Sequence, residues 1–167
     1  ILTNGVRFRL DAQTDLGSGP IYAVNGGQIY ASAGGTYTQN LYIAGTGWNE
    51  TAGQLGALRL DGQVWSGPIT LVGNARVSAR GGAGTISGNI GGAFELETFS
   101  NNALYLTGTN SYDSLKLTGG WLYVNDQRAL GAGTISFNNG GLSGFGNAVT
   151  ITNGFKALVA SVSLGAN

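Results

Sequence analysis

Cysteine, histidine and methionine are all absent from this chain. Without cysteine there is no disulfide framework and no thiolate metal site. Without histidine the usual Ser-His-Asp base is missing, so a Ser-Lys pair would have to use Lys116 or Lys156. Charge is scarce too: 10% of residues are Asp, Glu, Lys or Arg, 8 basic against 8 acidic, where roughly 25% is usual. A surface with no net field does not attract polyanions, which argues against nucleic acid as a partner. There are 2 prolines, and glycine does not recur at every third position, so the chain is not a collagen. No apolar run approaches the ~20 residues of a membrane-spanning helix, and a transmembrane barrel would need longer alternating strands, of about 9 to 11 residues. The chain opens at Ile1 with no initiator Met and no basic-then-apolar leader, and reads as a mature product or an internal piece.

Glycine is abundant, at 31 of 167 residues, against roughly 12 expected from average usage. The excess means frequent turns. With 42% hydrophobic residues spread to the C-terminus, the composition suits one folded unit over residues 1–167 and not a disordered segment. The exterior must be built from Thr, Ser, Asn, Gln and glycine backbone, a composition typical of exported bacterial surface proteins, so an extracellular, cell-surface location is expected.

Self-similarity is the next signal. Ser18-Gly19-Pro20-Ile21-Tyr22-Ala23-Val24 returns as Ser66-Gly67-Pro68-Ile69-Thr70-Leu71-Val72, displaced by 48. Gly82-Ala83-Gly84-Thr85-Ile86-Ser87 returns unchanged at 131–136, displaced by 49. A looser match, Leu41-Tyr42-Ile43-Ala44-Gly45-Thr46 with Leu104-Tyr105-Leu106-Thr107-Gly108-Thr109, is displaced by 63. Halving the first two displacements gives a coil of about 24 residues and roughly seven coils.

Between the glycines lie short runs of period two: Val6 to Leu10, Gln28 to Ala31, Leu58 to Asp61, Phe94 to Glu97, Leu104 to Thr107, Leu115 to Thr118 and Val149 to Thr152. These are half-buried strands. Helix is confined to one turn at Asp126-Gln127-Arg128-Ala129-Leu130, which excludes parallel α/β folds with their crossover helices. The expected fold is all-β, a parallel right-handed β-helix or β-solenoid without significant helix, with stacked like residues as its core. A sandwich and a propeller remain as alternatives. Doublets such as Asn4-Gly5, Asn25-Gly26, Asp61-Gly62 and Asn153-Gly154 suit solenoid corners, but Asn-Gly is also a hairpin signal and supports the sandwich.

Several segments carry a family likeness: Leu104-Tyr-Leu-Thr-Gly-Thr-Asn-Ser-Tyr112, Gly119-Gly-Trp-Leu-Tyr-Val-Asn125, Ala129-Leu-Gly-Ala-Gly-Thr-Ile-Ser-Phe137 and Gly140-Gly-Leu-Ser-Gly144. In this order they resemble the autotransporter-associated β-strand repeats, or passenger-associated transport repeats, of bacterial surface proteins. After Tyr112 the chain reads Asp113-Ser114-Leu115-Lys116 where the family usually has Gly-Gly-Thr-Thr. The resemblance implies a passenger-type β-solenoid and no specific ligand.

The expected role is a structural or adhesive extracellular module: a surface stalk, fibre or matrix element without enzymatic activity, metal or cofactor. Its expected partners are its own copies or neighbouring repeats. A carbohydrate-binding or carbohydrate-cleaving β-helix is the alternative, with surface carbohydrate as partner. Among Asp11, Asp15, Glu50, Asp61, Glu95, Glu97, Asp113 and Asp126, only Glu95 and Glu97 are singled out as an i, i+2 carboxylate pair, the arrangement glycoside hydrolysis or a calcium site could use. The plainer expectation is two solvent-facing residues opposite buried Phe94 and Leu96. Gly81 to Ile86 lacks the carboxylate of a calcium-binding repeat and the Lys-Ser/Thr of a phosphate loop. Trp48, Trp65 and Trp121, with Tyr22, Tyr30, Tyr37, Tyr42, Tyr105, Tyr112 and Tyr123, could form a sugar-stacking ladder; stacking within the solenoid is the plainer reading.

Overall fold

The computed structural model describes residues 1–11, 16–33, 35–159 and the backbone of Leu164–Gly165. Short strands wind into a parallel β-solenoid of about seven turns. Each full turn passes three ladders. Face I holds Arg7–Leu10, Gln28–Ala31, Leu58–Leu60, residues 75–79, 95–99 and 114–117, Ile135–Phe137 and Phe155–Ala157. Face II holds Ile21–Ala23, Leu41–Gly45, and residues 69–71, 90–92 and 111–112. Face III holds Thr36–Tyr37, Val64–Trp65, Gly84–Ile86, Leu104–Leu106, residues 120–124, Gly140–Gly144 and Leu164–Gly165. Parallel pairing of successive coils is what a sandwich cannot supply.

Alternation decides the core. Alternate residues of successive strands fall into shared inward columns, such as Ile29, Leu58, Val77, Thr98, Leu117 and Phe137 on face I, all at most 2% exposed. On face III the column Tyr37, Trp65, Ile86, Leu106 and Val124 is equally buried, with Tyr37 and Trp65 stacked at 5.6 Å between ring centroids. Like thus rests on like, each residue burying apolar surface against the coil above and the coil below.

The coil is shorter than the repeat matches suggest. Along the column Phe8, Ile29, Leu58, Val77, Thr98, Leu117, Phe137, Ala157 the sequence number rises by 19 to 21 at each step, apart from 29 between Ile29 and Leu58. The match displaced by 48 is a true one: Ile21 pairs Leu41 in the next coil, and Leu41 pairs Ile69 in the coil after that. The first of those steps is of ordinary length and the second is long, so the half-length averages an ordinary coil with an enlarged one. The match displaced by 49 joins different walls, since Gly84–Ile86 is on face III and Ile135–Phe137 on face I. Leu41–Gly45 and Leu104–Leu106 likewise occupy faces II and III.

The enlargement is an excursion from the coil. Gly56 N donates to Thr46 O at 2.9 Å, closing a loop whose Asn49–Glu50 and Gly53–Gln54 form the one antiparallel pair among the described residues. The Asn-Gly doublets do not make hairpins. At Asn25-Gly26 both φ values are positive, 50° and 84°, and Gly27 N donates to Val24 O, the turn chemistry that hairpins favour. Yet its flanking strands, Ile21–Ala23 and Gln28–Ala31, lie in different ladders and pair with other coils.

Another corner needs glycine for space. Gly67, Gly88 and Gly108 stack over one another, and a Cβ on Gly88 or Gly108 would collide with the carbonyl of the glycine one coil before it. The Leu-Thr-Gly-Thr-Asn-x-Tyr segment is explained on this basis. Leu104 and Leu106 face inward, Gly108 continues the glycine column, and Asn110 accepts from Ile90 N at 2.8 Å and donates to Ala129 O at 2.7 Å. Tyr112 is buried with its hydroxyl donating to the same carbonyl at 2.9 Å, and burial pushes its pKa up.

The run Phe94 to Glu97 forms its strand, but its first residue does not face inward. Phe94 is 38% exposed, because an extra residue bulges out between Gly92↔Tyr112 and Glu95↔Ser114 and breaks the alternation. Val149 to Thr152 forms no strand. The coil before it carries the 3-10 turn Gln127–Leu130, capped by the Asp126 side chain, at the position where face II would continue. That turn offers no strand edge to pair with, so Val149 and Ile151 pack on the core from a loop.

Candidate interaction surface

Outward-facing residues on face I gather most of the charge. Arg59 contacts Glu50 at 2.7 Å and Asp61 at 2.5 Å, and its guanidinium lies 3.9 Å from the Tyr30 ring centre. Tyr30 donates to Asp61 at 2.9 Å, while Arg7 reaches Glu50 at 3.3 Å and lies over Trp48. Farther along the axis, Glu97 receives Arg76 at 2.9 Å, Lys116 at 3.2 Å and the Thr118 hydroxyl at 2.6 Å. Burial opposes the charge on Asp61, but hydrogen bonds from Arg59, the Gly81 N–H and Tyr30 outweigh it and hold the carboxyl below its ordinary range. Glu97 is likewise lowered: burial works against it, and the bonds from Arg76 and Thr118 and the charges of Arg76 and Lys116 win. Every charge in this cluster is answered by another, so the cluster fastens coils and the loop together.

The carboxylates singled out from the sequence, Glu95 and Glu97, share the outward side of one strand, but Glu97 is already answered by Arg76 and Lys116. Glu97 is 8% exposed inside that network, and Glu95 stands at the bulge, its N–H donating to Asn74 Oδ1 at 3.0 Å. Asp11 pairs with Arg9, Asp126 with Arg128, and Asp113 is exposed. Asp15 lies outside the described residues. Ser136 falls between Lys116 and Lys156 in register, but Lys116 is committed to Glu97. Among the described residues no group of three or more potential metal ligands occurs, and no helix is long and apolar enough to cross a membrane.

The aromatic residues divide among the walls and do not form one ladder. Tyr22 and Tyr42 stack at 4.6 Å on face II, Trp65 is in the core, and Trp48 covers Arg7. On face III an exterior strip remains: Tyr105 and Tyr123 stack at 5.1 Å, Phe145 meets Tyr105 edge-on at 4.9 Å, and Trp121 lies 6.4 Å from Tyr123. Trp121 and Phe145 are 39% and 47% exposed. Where face III ends, a groove of about 870 Å³ opens between the turn at Asn125 to Arg128 and the loop 147–153. Sequence reasoning misses both this groove and the Arg59 network. Arg59 and Asp61 stand i, i+2 on a recognisable strand, but Glu50 arrives from a loop whose return no pattern announces.

Fold and surface together define a parallel β-solenoid with one ion-paired wall and one aromatic wall. No protein-family model, curated protein or solved structure matches the chain.

Proposed function

We propose that the chain is a structural and adhesive module of the bacterial cell exterior: a passenger-type β-solenoid that serves as stalk, fibre or matrix element, stacks on further coils and performs no catalysis. The observation that carries this reading is the state of the outermost rungs. Phe8 and Phe155 occupy inward columns, in register with Ile29 and Ile135, yet they are 43% and 52% exposed. Beside Phe8, a cleft of about 390 Å³ is lined by Ile1, Leu2, Leu16, Pro20, Ile21 and Ile29. Apolar columns open at a strand edge are complementary to another rung of the same kind, from neighbouring repeats or a second copy. The resemblance to autotransporter-associated repeats and the uncharged Thr/Asn/Gly-rich exterior support placement outside the cell.

Sedimentation velocity over a wide concentration range tests the reading. The expected result is reversible association that Phe8→Lys and Phe155→Lys each weaken, together with a higher melting temperature for two copies fused in tandem than for one. A particle that stays monomeric throughout, with no gain in the tandem, would overturn it.

A further inference from the structure

On the aromatic wall Trp121 and Phe145 stay open to solvent, and a groove opens at its edge. We propose that wall and groove together bind an uncharged, hydroxyl-rich glycan, with Trp121 as the stacking platform and the groove beside Asn125 as the hydrogen-bonding site.

Trp121 is built to lie flat. Its register partner one coil on is Gly141, and a Cβ there would come within 2.6 Å of the indole ring. Glycine therefore lets the ring rest on the backbone with one surface, Gly141 being buried, while the residue stays 39% exposed. An indole held against a rigid sheet costs little conformational entropy when a ligand stacks on it. Tyr105, Tyr123 and Phe145 extend the platform across three coils.

The same strand delivers the platform to the groove. Trp121, Tyr123 and Asn125 alternate outward along 121–125, so the platform runs into a cleft whose lining includes Asn125, Asp126, Arg128, Thr109, Thr150 and Asn153. The chemistry of this cleft selects the ligand. Asp126 and Arg128 neutralise each other, their Oδ1 and Nε atoms 2.9 Å apart, which leaves no charge to attract a polyanion. Asn125 and Asn153 each carry a buried Oδ1 with no donor. Asn153 is fixed in that sense, since its Nδ2 donates to Gly131 O and Gly133 O at 3.1 and 2.7 Å. The lining residues Asn125, Asn153, Thr109 and Thr150 present neutral amides and hydroxyls, the groups with which sugar hydroxyls exchange hydrogen bonds. A groove of this volume admits a few sugar units.

The test titrates the protein with cellohexaose, xylohexaose, mannohexaose and chitotetraose, and with hexagalacturonate as the charged control, following tryptophan fluorescence and calorimetric heat. At least one uncharged probe is expected to bind, with an affinity loss of about tenfold for Trp121→Ala, less for Trp121→Phe, and severalfold for Asn125→Ala. Circular dichroism of each variant checks that the solenoid remains. Binding by none of the uncharged probes, binding that survives Trp121→Ala unchanged, or binding of hexagalacturonate alone would each overturn the proposal. These outcomes are independent of the sedimentation experiment, because a monomer can bind a glycan and a fibre can lack the site.

Discussion

At the scale of single residues, fit between backbones matters as much as burial. Gly88 has the carbonyl of Gly67 beneath it, and that carbonyl is itself fixed in the corner. Gly88→Ala must therefore push neighbouring coils apart, at a cost of about 1–3 kcal/mol or more, since neither contact atom can rotate away. Gly62→Ala is the contrast: its φ of 85° is strained for alanine, but nothing lies within 4 Å of the added methyl. Urea unfolding is expected to rank Gly88→Ala clearly below Gly62→Ala; equal losses would mean that conformation, and not close approach, selects these glycines.

The ion-paired wall makes a pH prediction of definite sign. Asp61 and Glu97 have folded pKa values below their ordinary values of 3.8 and 4.5. A depressed carboxyl adds stability above its unfolded pKa and loses it as pH falls through the folded one. Thermal stability should hold above about pH 5 and decline as the pH drops below the ordinary carboxylate range. Glu97→Gln is expected to be less stable at neutral pH and to show a shallower acid decline. An unchanged acid slope in that variant would remove Glu97 from the linkage.

At the scale of elements, the loop between Thr46 and Gly56 is held by few groups. Glu50 accepts from Arg7 and Arg59, Arg76 donates to Gln54 O at 2.7 Å, and Leu55 is 1% exposed. Glu50→Ala leaves two guanidiniums without that carboxylate and should cost about 1–3 kcal/mol. Amide exchange should accelerate at 49–54 and remain slow at Leu58 and Leu60, which the neighbouring coils secure. Uniform acceleration would mean that the loop is integral to the coil.

The elements also show what the sequence could convey. Period-two runs such as Leu104-Tyr105-Leu106 and Leu115-Lys116-Leu117 announce strands correctly, because alternate burial is a local consequence of the pleat. Coil length is not local. It depends on which strand meets which, and matching segments can recur on different walls, as 82–87 and 131–136 do. Phe94 defeats the alternating pattern because a bulge is invisible until the partner strand is known. The aromatic platform is hidden for the same reason: Trp121 and Gly141 stand a whole coil apart in sequence, and only register makes them one feature.

For the whole molecule, the coils form a one-dimensional array in which each rung is stabilised by its two neighbours. Leu96 lies in a central rung, paired with Ala75 on one side and Leu115 on the other, and is fully buried. Leu96→Ala should cost about 2–5 kcal/mol. Phe155 has Ile135 on one side and is 52% exposed, so Phe155→Ala removes far less buried surface despite the larger side chain. Under native conditions amide exchange should therefore be slowest at 75–79, 96–99 and 115–117 and faster towards the outermost rungs. Adding a second copy in tandem should slow exchange at whichever outer rung it covers, while the protection of the central rungs stays the same. If instead every rung exchanged at one common rate, and Leu96→Ala and Phe155→Ala cost the same, the chain would be a single cooperative block with finished ends, and repetition along an axis would no longer explain its stability.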